Sequence, residues 1–535
     1  MKTRLKAAWV AVAALTALAV ALPGVAAAAT ATANTCTVSA LQARSPGGVV
    51  IEAADVIKAA EGRPEHCALT GYVDHKGKIG IRLLLPDSWN HKFLFMGVGS
   101  FAGVLAPLEG NPAFLRGYAI GTTDTGHRGA GTSPGLATNE ASWALNDPAA
   151  VINHFEASVD LSAQAMKALV AAYYGGAPRY AYFQGCSGGG RQAMAEAEFN
   201  PGTFDGVIAE APAWNYSRLF ATFLLDGQQI LRSPANWISP RQFAAIDQQV
   251  MAQCDGADGV VDGIIMDPRA CHLDLSAFGC KPAGGPAGCL SPPQLDTLKF
   301  IVEAPYARGR PGYYGFYLTG ADSKDWGVQE TIFGAARPGL DAAGRPTFAP
   351  FSESGASPFA YALGEQFYRY ILMNEPTKDA RDFNIERDFP LIQQRVAFMS
   401  DADQTDLGRF FRKGGKLLIW HGWSDPAIPP GMSIDLYERI KRDTKDSDEA
   451  PVDNSVRLFL APGVNHCGWG SGLTQFDVLR AMEDWIEHGL APERIPAAQL
   501  ENGLPVRSRP LCRYPKVARY SGRGDPNDER NFDCR

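Results

Sequence analysis

Apolar residues in this chain fall into short unbroken runs separated by helical spacings, which is the pattern of buried strands alternating with helices. From about Ile79 the runs IGIRLLLP (79–86) and KFLFMGVG (92–99) predict two adjacent strands, the second ending in glycines. GYAIGTTDTG (117–126) predicts a strand with a polar end, and Phe155, Val159, Leu161 and Met166 lie near helical spacing in a stretch from about Pro148 to Tyr173. YAYFQG (180–185) predicts a buried strand that runs through Cys186 and Ser187 into Gly188–Gly190 and the helix RQAMAEAEF (191–199). Such alternation predicts an α/β fold with a mostly parallel, doubly wound sheet and a site at the carboxyl ends of its strands.

The rhythm is lost between about Ala213 and Gly408, where four cysteines, many Gly and Pro, and aromatic pieces such as YYGFYL (313–318) and FYRYI (367–371) indicate a large insertion, read here as a lid. The sheet resumes with GKLLIWHG (415–422) and SVRLFLAPG (455–463), with a helix expected around Ser433 to Lys441. The expected organisation is therefore a core half at 29–212, a lid at 213–408 and a second core half with the tail at 409–535. Residues 1–28 read as a signal peptide: Lys2, Arg4 and Lys6 precede the apolar Ala7 to Leu22, and Val25-Ala26-Ala27 opens a run of small residues. The mature chain is expected to start near Ala28 to Thr30, in the periplasm or outside the cell. No later segment approaches the roughly 20 apolar residues of a membrane span.

A formal charge of -7 over 535 residues, with no long run of one sign, offers neither a nucleic-acid groove nor a basic membrane-binding face. A small, weakly charged substrate fits better. The ten cysteines suit an oxidising compartment. Ten allow on the order of a thousand pairings, and proximity suggests Cys36 with Cys67, Cys254 with Cys271, Cys280 with Cys289 and Cys512 with Cys534. That leaves Cys186 and Cys467.

Gly185-Cys186-Ser187-Gly188-Gly189 is a G-x-S-x-G sequence between a strand and a helix, which makes Ser187 the candidate nucleophile on a sharp turn. A serine hydroxyl needs a base, and the base needs an orienting acid. The expected order after the serine is acid and then histidine. His466 follows SVRLFLAPG, and Asp425 follows GKLLIWHG, so these two are the candidates. Asp425 could instead cap the helix after Pro426. His421, four residues before Asp425, reads as a packed histidine at a strand end, and His488 as a surface residue of an amphipathic helix. The amide of Gly188 is the natural first oxyanion donor. The second is expected from Gly99 or Ser100, with a plain tight turn as the competing reading. If Ser187 and His466 must touch, Cys186 and Cys467 come close too, and a disulfide between them would clamp nucleophile loop to base loop.

Gly-Cys-Ser-Gly-Gly-Gly at 185–190, His-Gly-Trp-Ser-Asp-Pro at 421–426, His466-Cys467 and Thr-Asp-Thr-Gly-His at 123–127 together resemble the tannase and feruloyl esterase family, which also includes the hydrolase of mono(2-hydroxyethyl) terephthalate. The resemblance covers most of the chain and implies an α/β-hydrolase fold with an inserted lid. The implied activity is that of a secreted serine esterase acting on esters of aromatic acids, feruloyl or galloyl, or alternatively on terephthalate monoesters. It also implies a structural calcium in the lid, on a loop like Cys254 to Ile264. There Asp255, Asp258 and Asp262 would ligate by side chain and Val260 and Ile264 by carbonyl, a donor set of the kind calcium prefers.

Phe316, Tyr317, Phe367 and Tyr368 could stack on a phenolic ring but at this spacing suit a core better; Trp326 and Arg337 are ambiguous. Two rival readings remain: a peptidase or lipase on this fold, and a non-catalytic binding protein for polyphenol or carbohydrate. The complete set of Ser187, Asp425 and His466 argues against the second.

Overall fold

The apolar runs become strands, but the sheet does not follow their order in the chain. The computed structural model describes residues 35–131, 133–281, 287–303, 314–324, 326–352, 355–445 and 451–535, so the signal-peptide segment lies outside the described residues, as does Tyr313 of YYGFYL. In chain order come β1 (Val49–Ile57), β2 (His66–Asp74), β3 (Lys78–Pro86), β4 (Lys92–Met96), β5 (Ala119–Thr123), β6 (Tyr180–Cys186) and β7 (Gly206–Glu210). A two-residue ladder, β8 (Gly339–Leu340) with β9 (Pro346–Thr347), precedes β10 (Lys416–Gly422) and β11 (Val456–Ala461). Without that ladder they form a nine-stranded sheet, β1-β2-β3-β5-β4-β6-β7-β10-β11. The pairings from β1 to β5 are antiparallel, and those from β5 to β11 are parallel.

β3 and β4, expected as neighbours, are separated by β5: Ile81 faces Thr123 on one side of it and Phe93 faces Ala119 on the other. All five residues of β5 are buried, so it needs a strand on each edge. β1 and β2, which lie before the first expected strand, form a hairpin that extends the sheet.

Side chains alternate between the two faces of the sheet. Phe93, Phe95, Phe183, Val207, Leu417, Ile419 and Leu458 pack in one core with Val159, Met166 and Leu169 of the helix Ser158–Tyr174. Leu94, Ile120, Tyr182, Ile208, Leu418 and Phe459 pack in the other with Leu479, Met482 and Trp485 of the helix Val478–His488. The doubly wound expectation is thus met, and catalytic candidates can sit at the strand ends between two dry layers. The expected helix from Pro148 is broken by one π turn at Asn153–Ala157, and the expected helix near Ser433 spans Pro430–Asp443.

The chain leaves the sheet at β7 and returns at β10, and these strands are neighbours, with Gly206 facing Lys416 and Glu210 facing Trp420. The excursion between them carries the helices Tyr216–Leu231, Pro240–Cys254, Pro292–Glu303, Phe359–Gln366 and Ile385–Ile392. Its aromatics mostly serve packing: Phe316, Phe367 and Tyr368 are buried, and Phe367 stacks on Phe220 at 4.5 Å. Beyond the sheet, β12 (Arg494–Glu501) and β13 (Leu504–Cys512) form a hairpin, and β14 (Ala518–Tyr520) pairs with β15 (Phe532–Cys534).

Five disulfides close, each with the partners expected: Cys36–Cys67, Cys186–Cys467, Cys254–Cys271, Cys280–Cys289 and Cys512–Cys534. Among the described residues, no helix is long and apolar enough to cross a membrane.

Candidate active site

Ser187 sits between β6 and the helix Gly188–Phe199 with φ 63° and ψ -119°, a conformation that L residues rarely adopt. Such strain, on the order of 1–3 kcal/mol, persists only where the surroundings enforce it. Here the Ser187 amide donates to the Glu210 carbonyl at 3.0 Å, and the Ser187 carbonyl accepts from Arg191 and Ala213. The turn also needs its glycines: a Cβ on Gly185 would lie 2.7 Å from the Gly189 carbonyl oxygen. The hydroxyl is thereby held at a helix N-terminus, where negative charge is favoured.

The candidate acid and base follow β10 and β11, the last two strands of the parallel run. His466 Nδ1 lies 2.8 Å from Asp425 Oδ2. A carboxylate oxygen can only accept, so Nδ1 carries the hydrogen and the neutral ring keeps its lone pair on Nε2, the tautomer a general base requires. Asp425 Oδ1 accepts from the amides of Ala427 at 2.8 Å and Ile428 at 2.9 Å. The local capping reading of Asp425 is therefore true of one oxygen, while the other serves the histidine. Burial alone would raise the Asp425 pKa, but His466 and His421 outweigh it and hold the carboxyl well below its ordinary range.

The Cys186–Cys467 disulfide joins the residue before Ser187 to the residue after His466, with Cα atoms 5.8 Å apart. A ring nitrogen of His466 and both sulfurs lie within 4.8 Å of one another. That resembles a metal triad, but disulfide sulfurs are not thiolates and cannot ligate as such.

The glycine-rich turn after β4 passes beside the Ser187 turn. A Cβ on Gly188 would lie 3.1 Å from the Ser100 nitrogen, whereas one on Gly99 would find nothing nearer than the Cys186 carbonyl oxygen at 4.0 Å. Ser100 is held at φ 48°, and its carbonyl accepts from the Tyr216 hydroxyl at 2.9 Å. The segment Thr123–His127 braces the same turn: Gly103 donates to the Asp124 carbonyl, and His127 Nε2 donates to the Phe101 carbonyl at 2.7 Å. Burial lowers the His127 pKa to about 4, so that ring is a neutral donor. Nothing in the sequence of the 123–127 motif gives this bracing role away beyond its polar character directly after the buried β5.

His421 is fully buried and lies 3.0 Å from Asp425 Oδ2 through Nε2, so the packed histidine touches the acid directly. His488 is exposed, as expected of a surface residue.

In the loop 254–264, Asp255 and Asp258 are buried, and Asp255 accepts from the amides of Asp262 and Gly263. Asp258 accepts from Val260 and Asp262 from Ile264. Burial, then the Asp262 and Asp255 charges, raises the Asp258 pKa to about 6. Arg509 of β13 pairs with Asp262 at 2.6 Å. Three carboxylates on a tight loop, two of them buried, are a donor set that suits a hard cation such as calcium. Among the described residues they do not bring three ligand oxygens within 4.8 Å of one another.

Comparison with known proteins gives the same picture over nearly the whole chain. The family described as tannase and feruloyl esterase matches residues 67–535. An uncharacterized esterase of Xanthomonas campestris pv. campestris is 34% identical over 525 residues, covering 92% of this chain and 86% of that protein. A mono(2-hydroxyethyl) terephthalate hydrolase of Piscinibacter sakaiensis is 30% identical, covering 90% and 87%. A probable feruloyl esterase of Arthroderma benhamiae is 32% identical, covering 86% and 83%. Feruloyl esterase B from Aspergillus oryzae shares the fold at a TM-score of 0.77, with 24% identity over 92% of this chain and 97% of that one. The strand-end geometry and these matches place the chain in one class of carboxylic ester hydrolases: it is a member of the tannase and feruloyl esterase family.

Proposed function

We propose that this enzyme is an exported serine esterase of aromatic acid esters, with Ser187 as nucleophile, His466 as base and Asp425 as the orienting acid. The observation that carries this reading is the Asp425–His466 hydrogen bond at 2.8 Å on a loop disulfide-bonded to the Ser187 turn. His466 Nε2 takes the hydroxyl proton as Ser187 attacks the ester carbonyl, and Asp425 stabilises the imidazolium. The amides of Gly188 and Ser100 receive the oxyanion, Ser100 being favoured over Gly99 by its approach to Gly188. His466 then returns the proton to the departing alcohol, and water activated by the same ring releases the acid from the acyl-enzyme.

Feruloyl or galloyl esters are the proposed substrates, on the strength of the family and its feruloyl esterase relatives. The terephthalate monoester is the alternative, supported by one relative. Trp469, three residues past His466 and largely exposed, offers an indole face for an aromatic ring. The excursion between β7 and β10 is read as a lid, and Asp255, Asp258, Asp262 and the carbonyls of Val260 and Ile264 as the holders of a calcium that would stiffen it. The N-terminal 28 residues are read as a cleaved export signal, consistent with five disulfides.

The test is hydrolysis of methyl ferulate, methyl gallate and mono(2-hydroxyethyl) terephthalate by the mature protein and by Ser187→Ala. Turnover that vanishes in the variant supports the serine mechanism, and the relative rates name the ester. No turnover on any of the three by the mature protein would sink the aryl-ester assignment, and turnover retained by Ser187→Ala would sink the mechanism.

A further inference from the structure

The carboxylate of Asp425 receives four hydrogen bonds, two on each oxygen. Ala427 and Ile428 amides occupy Oδ1, and His466 Nδ1 and His421 Nε2 share Oδ2 at 2.8 and 3.0 Å. That fills the roughly four acceptor sites of a carboxylate. His421 is the last residue but one of β10 and is fully buried. Its Nε2 faces only acceptors, Asp425 Oδ2 and the Ile428 carbonyl at 2.9 Å, so Nε2 must carry the hydrogen. Its Nδ1 lies 2.7 Å from Ser433 Oγ on the helix Pro430–Asp443. In a neutral ring Nδ1 is then an acceptor, and the Ser433 hydroxyl donates to it. Ser433 thus donates to His421, and His421 and His466 both donate to Asp425, so every hydrogen bond of the network joins one donor to one acceptor.

We propose that His421 is a positioning residue for ester hydrolysis, holding Asp425 by its Nε2–H and so setting the orientation and basicity of His466, with Ser433 fixing the tautomer of His421. This rests on the reading of Ser187, His466 and Asp425 as nucleophile, base and acid. His421 competes with His466 for one oxygen. Removing it leaves that oxygen to His466 alone, favours the imidazolium and raises the pH at which the base becomes free. It also removes one of the four bonds that hold the carboxylate, so the base loses alignment. His466 and His421 are the ionisable groups acting on Asp425, from the turn after β11 and from β10. The helix that packs on His421 presents to it the neutral Ser433 hydroxyl.

The experiment is the pH profile of kcat and kcat/KM for wild type, His421→Ala, His421→Gln, Ser433→Ala and Ser187→Ala, using methyl ferulate and a p-nitrophenyl ester. In His421→Ala the acidic limb is expected to move up by about one pH unit and kcat to fall on the order of 10- to 100-fold. His421→Gln, whose amide can donate from the place of Nε2, should return the limb toward wild type. Ser433→Ala should shift it in the same direction by less, and it decides the matter if His421→Ala does not fold. An unmoved limb in folded His421→Ala, or in Ser433→Ala where that variant alone folds, would reduce His421 to a packing residue and overturn the proposal. Activity surviving in Ser187→Ala would instead overturn the triad on which it rests.

Discussion

Cys186 and Cys467, 281 residues apart in the chain, are disulfide-bonded with Cα atoms 5.8 Å apart, one beside Ser187 and the other beside His466. Serine and histidine are thereby placed by a covalent link as well as by the sheet. Mild reduction is expected to abolish ester hydrolysis before the far-ultraviolet dichroism changes, and Cys186→Ser/Cys467→Ser to lower stability by about 2–4 kcal/mol. Parallel activity and denaturation curves against reductant would check this. Full activity after proven reduction of that bond would remove the clamp from the mechanism.

Asp425→Asn keeps the shape of the side chain but offers His466 an amide that can present a donor. The wrong tautomer then competes, and kcat should fall on the order of 10⁴-fold while KM changes little. Stopped or steady-state rates on methyl ferulate decide it; a loss under tenfold would leave the histidine without need of the acid.

Gly188→Ala places a methyl group where a Cβ lies 2.8 Å from the Tyr216 hydroxyl and 2.9 Å from the Ser100 carbonyl oxygen. The turn carrying Ser100, the proposed second oxyanion donor, must then move away. A loss of about 10²- to 10³-fold in kcat with a near-native melting temperature is expected. Tyr216→Phe, which removes only the 2.9 Å bond to Ser100, should cost less.

Calcium on the loop 254–264 would bind the folded state and not the unfolded one, so chelation should lower the melting temperature by a few degrees and added calcium restore it. Asp258→Asn should abolish that response. A melting temperature indifferent to chelator and to calcium would leave the loop a set of Asp-Gly turns.

Glu196, on the helix that begins after Ser187, is buried, with Oε1 accepting from Asn200 and Oε2 without a partner among the described residues. Burial, aided by Asp160, raises its pKa to about 8. Below about pH 4.5 the folded and unfolded states both hold the proton. As the pH rises the unfolded chain releases it first, so stability present at low pH is lost progressively up to about 8. Glu196→Gln should flatten that decline and be the more stable protein at pH 8, read from melting temperatures across the range.

Ser187, Asp425 and His466 could be singled out as the proposed triad because each follows an apolar strand that could only be buried, and because serine, acid and histidine come in the order expected of this fold. The Cys186–Cys467 disulfide was legible as the pair left over by proximity, and it gained a meaning once Ser187 and His466 were required to meet. What the chain concealed was lateral order: β5 enters between β3 and β4, because a strand buried on both faces and both edges reads the same at any interior position. His421 read as packing for a related reason. A buried histidine has the same sequence signal whether its nitrogen meets a carbonyl or the Asp425 carboxylate. Contacts made late in the chain, such as Arg509 with Asp262, leave no local trace at all.

The adjacency of β7 and β10 bears on how this enzyme can diversify. Everything between Glu210 and Lys416 departs and returns through one seam of the sheet, and that seam is sealed by the same parallel hydrogen bonds whatever lies beyond it. Ser187, Asp425 and His466, the proposed nucleophile, acid and base, all stand outside the excursion. The excursion, proposed above as the lid over the ester, can therefore be lengthened, shortened or exchanged for a relative's as one cassette while Ser187, Asp425 and His466 keep their places on the sheet.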